Sequence, residues 1–279
     1  MKYLTILAIL AFNSFSSAWA SSCPANRPLD LIHTATLYPN SVMWLNHAQD
    51  AIALTAQPIQ PSSSQSIPLN QAIDPTTQLV KYTPIQQFIA SEHYQISATQ
   101  KKDTEEYSVE NQIEISAPTQ LATLQWLKKP VFTGYEISGD DPLFGVSGQM
   151  TFTLQTNLNP DHYLVLVHIL NSKKFADPVH FILRPAVSTD SNQSNSAIIS
   201  MGFSTCQSTV LFEENDELLV KFDLISHDGQ IIPWQDDPIK VHIQNPKASF
   251  TAQDPAPQHW WEKIKKWFFD WLEKLFSSS

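Results

Sequence analysis

The fold of this chain is constrained most by a strict alternation of apolar and polar residues over positions 146–155. The apolar members are Val146, Gly148, Met150, Phe152 and Leu154, and the polar members are Ser147, Gln149, Thr151, Thr153 and Gln155. This period of two predicts a strand with one buried and one solvated face. Turn-forming residues follow at 157–161, and residues 163–170 are apolar on both faces, which predicts a strand deeper in a sheet. We therefore predict an antiparallel hairpin over residues 146–170.

Four further β candidates follow this predicted hairpin. They are residues 179–183, 197–203, 218–225 and 239–243, and polar turn residues separate them. The chain has only six glycines, so Asn, Asp and Pro must form most of the turns. Strands at this spacing, without long helices between them, are typical of an antiparallel sandwich or of an α+β domain. The predicted fold class is mainly β, with an antiparallel β-sandwich-like domain and a C-terminal amphipathic helix.

The first 20 residues have the three parts of a secretory signal peptide. Lys2 supplies a short positive region, residues 3–12 are almost entirely apolar, and Ala18 and Ala20 form the small-x-small site that a signal peptidase recognises. The apolar run is about ten residues long, which is too short to span a bilayer. We therefore expect an exported, periplasmic protein whose mature chain begins at Ser21.

The two cysteines of the chain are Cys23 and Cys206. In an oxidising compartment with no competing thiol, two cysteines are expected to pair, so we predict one disulfide that ties the mature N-terminus to the β domain. Two alternatives stay open at this point. Both thiols could be unpaired, or Cys23 could be the lipidated N-terminus of a lipoprotein, although Ala20 stands where such signals usually carry leucine.

Composition divides the mature chain into a body, a spacer and a tail. Residues 56–78 carry four prolines and a run of three serines, which predicts an extended loop within a β-rich globular domain at 21–245. Residues 246–257 hold three further prolines among polar residues, which is typical of a semi-rigid spacer. The composition then changes abruptly, and the tail at 258–276 is rich in tryptophan.

The tail has the pattern of an amphipathic helix. Its apolar residues recur at steps of three and four and share one face: Trp260, Trp261, Ile264, Trp267, Phe268, Trp271, Leu272 and Leu275. Charged residues occupy the other faces, and Glu262 with Lys266 has the favourable i,i+4 spacing. These charges disfavour a helix that spans the bilayer, whereas tryptophan and lysine together suit a helix in the membrane interface. We predict binding to a membrane surface, with a protein groove as the alternative.

No sequence motif with a known catalytic or ligand-binding mechanism is found. The chain lacks phosphate-binding loops, zinc-protease helix motifs and paired-cysteine motifs. Ser147 lies on the predicted strand and outside a nucleophile elbow, and His168 is expected to be a hydrogen-bonded sheet residue more than a metal ligand. The net charge is −10 and the body has no basic stripe, so nucleic acid is not an expected partner. We assign no catalytic residue, cofactor or metal ligand.

Three stretches of the chain resemble the CsiV family, periplasmic proteins of Gram-negative bacteria associated with peptidoglycan and its synthesis. They are residues 29–32 (LDLI), residues 124–131 (LQWLKKPV) and the predicted strand at 146–158, in a similar order and spacing. The chain departs from the family in lacking its arginine-rich segment and its closing Asp-His-Pro strand, and residues 171–279 show no likeness. The resemblance implies contact with peptidoglycan, and no binding residue is carried over from it.

Together these patterns predict an exported, non-enzymatic binding or scaffold protein of the cell envelope, attached by its tail to a membrane surface or to a partner such as an envelope-assembly protein. Three alternatives stay open. A membrane-perturbing protein would act through the tail, although four lysines against three acidic residues leave a net charge of only +1 there. A peptidoglycan-associated adaptor would follow from the CsiV resemblance. A hydrolase would bring a nucleophile, a base and an orienting group together only in three dimensions.

Overall fold

The described part of the chain is a β structure. The computed structural model describes residues 31–46, 52–59, 65–98, 111–141, 145–171, 177–188, 195–203, 212–213 and 215–243. The chain divides into two compact units, Met1–Ile243 and Gln244–Ser279, and all described residues lie in the first. Within these ranges the structure has fifteen strands and no α-helix. The mainly antiparallel β fold is therefore confirmed, while the predicted tail helix lies outside the described residues.

The first half of the described chain forms a six-stranded antiparallel sheet in the order β1-β4-β3-β2-β5-β6. Its strands are β1 (Met43–Leu45), β2 (Leu54–Pro58), β3 (Ile67–Ile73), β4 (Val80–Pro84), β5 (His93–Ala98) and β6 (Asn111–Glu114). Its buried cluster includes Leu54, Tyr82, Tyr94 and Ile96. The Tyr82 hydroxyl donates to the carbonyl of Ile52 at 2.9 Å, so the polar end of this buried ring has a hydrogen-bond partner.

The prediction of an extended loop over residues 56–78 is wrong in part, because the end of β2 and all of β3 lie within this range. Ile67 and Leu69 are buried while Pro68 between them is exposed, which is the alternation of a half-buried strand. Proline has no N–H to donate, but near the start of a strand that loss is tolerated. The Pro68 carbonyl still accepts from the Ile85 N–H at 3.1 Å.

The second half of the described chain forms two more sheets. Their strands are β7 (Trp126–Asp141), β8 (Gly145–Thr156), β9 (Tyr163–Leu170), β10 (Val179–Leu183), β11 (Ala186–Val187), β12 (Ser196–Phe203), β13 (Glu217–Ser226), β14 (Ile231–Pro233) and β15 (Ile239–His242). A four-stranded sheet has the order β11-β12-β8-β7. A five-stranded sheet has the order β10-β9-β13, with β14 and β15 both paired to β13. β10, β12, β13 and β15 confirm the four later β candidates of the sequence.

These two sheets contribute side chains to one hydrophobic core. β8 supplies Met150, Phe152 and Leu154, each at most 1% exposed. The five-stranded sheet supplies alternate residues of its strands: Val165, Val167 and Ile169 from β9, and Val220, Phe222 and Leu224 from β13. The rings of Phe152 and Phe222 meet edge to face, with centroids 4.9 Å apart. The predicted buried face of β8 is therefore confirmed.

The predicted hairpin over residues 146–170 is wrong in its pairing. β8 pairs with β7 and β12, whereas β9 pairs with β10 and β13, so the two strands lie in different sheets. A 3-10 turn at Pro160–His162, capped by the side chain of Asn159, lies in the connection between them. β9 is apolar on both faces because one face enters the core while Leu164 and Leu166 on the other pack against the N-terminal half.

Within the described residues β7 is an edge strand, and it carries features that oppose pairing with another strand. Its register with β8 shifts four times. Lys128 and Lys129 are exposed, and Pro130 offers no N–H to a further strand. Bulges, lysines and prolines are the means by which natural edge strands avoid edge-to-edge association.

Candidate functional site

A second hydrophobic cluster, which we call the seam, joins the six-stranded sheet to the five-stranded sheet. Its members are Ile32, Val42, Trp44 and Leu79 from the N-terminal half, and Leu164, Leu166, Ile182 and Ile225 from β9, β10 and β13. All are at most 8% exposed. Because side chains alternate along a strand, the next polar residues on the same face of β9, β10 and β13 lie beside this seam.

Hydrogen bonds reinforce the seam at β10. The Asn46 side chain accepts from the backbone N–H of Ile182 at 2.6 Å and donates to the carbonyl of the same residue at 3.3 Å. It therefore satisfies both backbone groups of Ile182 as a neighbouring strand would. Arg184 at the end of β10 donates from Nε to the carbonyl of His33 at 2.8 Å. The N-terminal half is thus bonded directly to this strand.

Beside the seam, three titratable side chains form a hydrogen-bonded row that we call the histidine relay. His168 on β9 and His180 on β10 are cross-strand neighbours, and their Nδ1 atoms are 2.7 Å apart. His168 Nε2 lies 2.9 Å from Oδ2 of Asp223 on β13. The other oxygen of this carboxylate accepts from the Trp234 N–H at 3.0 Å. The side chains of His168 and Asp223 are only 21% and 11% exposed, so the row is largely shielded from water.

The donors and acceptors of the histidine relay limit the positive charge that it can carry without losing a hydrogen bond. An ionised carboxylate only accepts hydrogen bonds, so His168 Nε2 carries a proton toward Asp223. Two ring nitrogens at 2.7 Å are joined by one proton, which either histidine can donate. Protons on both Nδ1 atoms would set two donors against each other. The relay therefore keeps all its bonds while it carries at most one positive charge, but it loses the bond between the histidines when both rings are charged.

The pKa shifts in the relay favour an uncharged His180 beside an ionised Asp223. Burial lowers the pKa of His180 and the charge of His168 lowers it further, while Asp74 opposes both effects. Burial alone would raise the pKa of Asp223. The hydrogen bonds from His168 and Trp234 outweigh burial, so the pKa of this carboxyl lies below its usual value.

We expect Asp223→Asn to lower the free energy of unfolding by about 1.5–3 kcal/mol at pH 7, because it removes a charge-assisted hydrogen bond. The pKa of Asp223 is lowered in the folded state from 3.8, so the carboxylate stabilises the protein above pH 3.8 and this contribution is lost as the pH falls through the lower, folded-state pKa. Urea unfolding should therefore show a difference between wild type and variant that shrinks below about pH 4.

The exposed Asp237 supplies the control for this prediction. Asp237→Asn should change the free energy of unfolding by less than about 0.5 kcal/mol at any of these pH values. A wild-type advantage over Asp223→Asn that stayed the same at pH 7 and pH 3 would contradict the role given to the carboxylate.

A second group of histidines borders the seam near Tyr38. The Tyr38 hydroxyl lies 3.1 Å from His162 Nδ1, and the Tyr38 ring meets the ring of His227 edge to face at 5.0 Å. Burial lowers the pKa of His227, a shift that Asp228 opposes and His162 reinforces. The carbonyl of His227 accepts from the N–H of Val42, a member of the seam, at 2.9 Å. Histidines that resist protonation therefore lie at two places along one hydrophobic contact.

A polar groove is found on the four-stranded sheet. It has a volume of about 350 Å³ and is lined by Thr133, Gly134, Tyr135, Glu136, Gln149 and Thr151. The register of β7 and β8 shifts between Phe132 and Gly134, and the Thr133 hydroxyl donates to the Thr151 carbonyl at 2.9 Å. Hydroxyl, amide and carboxylate groups together offer both donors and acceptors to a polar ligand.

The histidine relay differs from a hydrolytic triad in one respect. In a triad, the histidine that is bonded to a carboxylate receives a proton from a serine or cysteine through its other ring nitrogen. In this protein that nitrogen of His168 is bonded to His180. Ser147 lies on β8 in the other sheet. Within the ranges that the structure describes, no group of three or more His, Cys, Asp or Glu side chains is placed to hold a metal ion.

The residues that the sequence marks for export and attachment lie outside the described part of the chain. These are the signal peptide at 1–20, Cys23, Cys206 and the eight apolar residues of the tail. They stay predictions. In the described residues, no helix has the length and apolar character needed to cross a membrane.

His168 is a hydrogen-bonded sheet residue, as predicted, but sequence reasoning missed its partners His180 and Asp223. A signal for the first partner exists in the sequence. The predicted strands at 163–170 and 179–183 are also compatible with a hairpin. Such a hairpin places His168 and His180 on neighbouring strands, as the structure does. Asp223 carries no comparable signal, because it follows far along the chain.

Comparisons with known proteins identify no family for this chain. No family model matches it, and no curated protein matches its sequence. The solved structures that match in shape include the pullulanase from Anoxybacillus sp. LM18-11 in complex with maltotriose, at 7% sequence identity and a TM-score of 0.21. The match covers 81% of this chain and 29% of the pullulanase. A second structure of that pullulanase matches with the same coverage and TM-score at 8% identity. The chain thus spans less than a third of the pullulanase, and a likeness this low bears on neither fold nor function.

Proposed function

We propose that this protein is an exported, periplasmic, non-enzymatic binding or scaffold protein of the cell envelope, attached to a membrane surface by an amphipathic helix at its C-terminus. In this proposal the second half of the body is an antiparallel sandwich-like domain, and the tail at 258–276 is joined to it by the spacer at 246–257. The observation that carries the proposal is the single apolar face of the tail, which holds four of the chain's eight tryptophans.

The composition of the tail supports attachment at the membrane interface. Burial of four or five of its large apolar side chains at ~1.5–3 kcal/mol each would contribute roughly 6–15 kcal/mol before ordering costs. Tryptophan rings settle at the level of the lipid headgroups, and the lysines on the other faces remain in water. The same apolar face would also fit a protein groove, so the test must separate lipid from protein.

The rest of the chain is consistent with a binding role. The relay histidine that is bonded to Asp223 has its other ring nitrogen occupied by His180, where a hydrolase would present its nucleophile. The polar groove between β7 and β8 favours, as a second candidate, the peptidoglycan-associated adaptor. Its Thr, Gln and Glu side chains offer hydrogen bonds suited to the hydroxyl and amide groups of a glycan.

Binding of the mature protein, residues 21–279, to lipid vesicles tests the proposal. Wild type should co-sediment with vesicles that contain anionic lipid, and its tryptophan emission should shift to the blue. The double variant Trp267→Glu/Trp271→Glu should bind at least ~100-fold more weakly, because each lost indole removes ~1.5–3 kcal/mol of apolar burial. The matched control is Lys266→Gln/Lys274→Gln, which changes the net charge by the same amount on the polar faces. It should weaken binding by no more than about 30-fold, because each lysine near an anionic surface contributes about 1 kcal/mol.

Each other outcome points to one of the alternatives. A wild-type protein that neither co-sediments nor shifts its emission, and whose tail tryptophans are buried against protein, would overturn the membrane proposal in favour of a protein groove. Release of a trapped dye from the vesicles would favour a membrane-perturbing protein. Co-sedimentation with purified peptidoglycan that is unaffected by loss of the tail would favour the adaptor.

A further inference from the structure

We propose that the bond between His168 and His180 is an acid-sensitive latch, which holds β10 in the seam and releases it when both histidines are protonated. The proposal concerns the joint between the N-terminal half and the five-stranded sheet. It does not depend on how the tail attaches.

β10 is the element on which such a latch can act. Among the described residues it is an edge strand of its sheet and pairs only with β9. Ile182 on this strand is fully buried in the seam and is bonded through its backbone to Asn46. His180 is two residues earlier and therefore on the same face. A change at His180 is transmitted directly to the residue that anchors the strand.

Double protonation removes the bond at its centre. One proton between the two Nδ1 atoms joins the rings at 2.7 Å, and a second proton there makes both nitrogens donors. The two positive rings then repel each other across adjacent strands. Separation of the rings relieves both effects while they stay charged, and His180 on the edge strand is the ring that is not bonded to Asp223.

The charges around the two rings direct this separation. Lys221 on β13 is the cross-strand neighbour of His168 and adds to the positive charge on that side. Asp223 holds His168 in place through its own hydrogen bond. Asp74, in the turn between β3 and β4, favours the charged form of His180 from the side of the N-terminal half. The charged His180 ring is therefore repelled from the side of His168 and Lys221. The attraction of Asp74 opposes release, but this carboxylate is exposed and its effect is screened by water.

The second histidine group, His162 and His227, makes the seam sensitive to acid at another point. Burial disfavours the charged form of His227, and the positive charge of His162 adds to this effect. The backbone of His227 is bonded to Val42 in the seam. Mild acid therefore destabilises the seam at both places, whereas no histidine is among the fully buried residues of the described chain.

Hydrogen exchange of the mature full-length protein tests the latch. Exchange is measured by mass spectrometry at pH 7.5 and pH 5.0 and corrected for the intrinsic pH dependence of amide exchange. Peptides that cover β10 and residues 42–46 should exchange at least ~10-fold faster at pH 5.0, while a peptide that covers β8 should keep its protection. His180→Asn, which cannot be charged, should abolish the acid-induced increase in β10. The control His93→Asn changes a histidine whose side chain is 54% exposed and should retain the increase.

Three results would overturn the proposal. Wild type could keep the same protection of β10 at both pH values, β8 could lose protection together with β10, or His180→Asn could retain the acid-induced increase. Should that variant fail to fold, nitrogen NMR of the wild-type imidazoles decides the matter. The two rings must then titrate in two separate steps, and the loss of protection in β10 must follow the second step. Independent titration of the two rings would count against the latch.

Discussion

Phe152→Ala is expected to lower the free energy of unfolding by about 3–5 kcal/mol. Phe152 is 0% exposed and lies where the four-stranded and five-stranded sheets contribute to one core. Its ring contacts Phe222 of the opposite sheet at 4.9 Å and Phe132 of the neighbouring strand at 5.2 Å, measured between centroids. The truncation therefore removes apolar burial and leaves a cavity bounded by two further aromatic rings. Urea unfolding followed by fluorescence or circular dichroism measures the loss.

The neighbours of Phe152 on the same strand provide the control. Thr151 and Thr153 point to the other face of the sheet and are only half-buried. Thr151→Ala and Thr153→Ala should each cost less than about 1 kcal/mol, the range of strand preferences at such positions. Equal and small effects for all three substitutions would show that Phe152 does not face the core.

Gly202→Ala is the second substitution with a large expected effect, about 3 kcal/mol or more, because it forces backbone atoms apart. Gly202 on β12 pairs with Gln149 on β8, next to Gly148. A Cβ atom at position 202 would overlap the carbonyl oxygen of Gly148 and would lie 2.8 Å from its carbonyl carbon. Backbone atoms in the middle of a sheet cannot rotate away as a flexible side chain could. The pairing of β12 with β8 must therefore open or slip near this point.

Ser200→Ala is the matched control for Gly202→Ala, since Ser200 lies on the same strand and face and is exposed. It should leave the unfolding midpoint within about 0.5 kcal/mol of wild type. Hydrogen exchange of β12 would show whether Gly202→Ala loosens the end of the strand or the whole pairing. A variant with unchanged stability and unchanged exchange would mean that the two strands do not approach so closely.

The strands could be predicted from the sequence where their evidence is local. The alternation at 146–155 and the apolar runs at 163–170 and 218–225 mark strands that lie at those positions in the structure. Pairing is not local, and it could not be predicted in the same way. A turn after residue 155 is equally compatible with a hairpin and with a passage into another sheet. In the structure, the connection that contains the turn at Pro160–His162 leads from β8 into a strand of the other sheet.

Two kinds of residue explain the other differences between expectation and structure. Prolines at 58, 61, 68 and 75 masked the alternation of β3, because proline is usually read as a mark of a loop. In the candidate site, the sequence marks His168 only as a single strand residue. The chemistry of the histidine relay depends on His180 and Asp223, which reach it only through the register of β9 with β10 and β13.

The interleaving of the last two sheets has a consequence for how the chain folds. The six-stranded sheet is built from one continuous segment, whereas β9 and β10 lie in the chain between the strand pairs β7–β8 and β11–β12 of the other sheet. β9 gains its second neighbour only when β13 arrives, and β13 is completed only by β15 near residue 242. Such high contact order slows folding, since distant segments must meet before any contact stabilises them. We expect the N-terminal sheet to form first. The apolar side chains of β8 to β10 should remain exposed to solvent until β13 and β15 have paired.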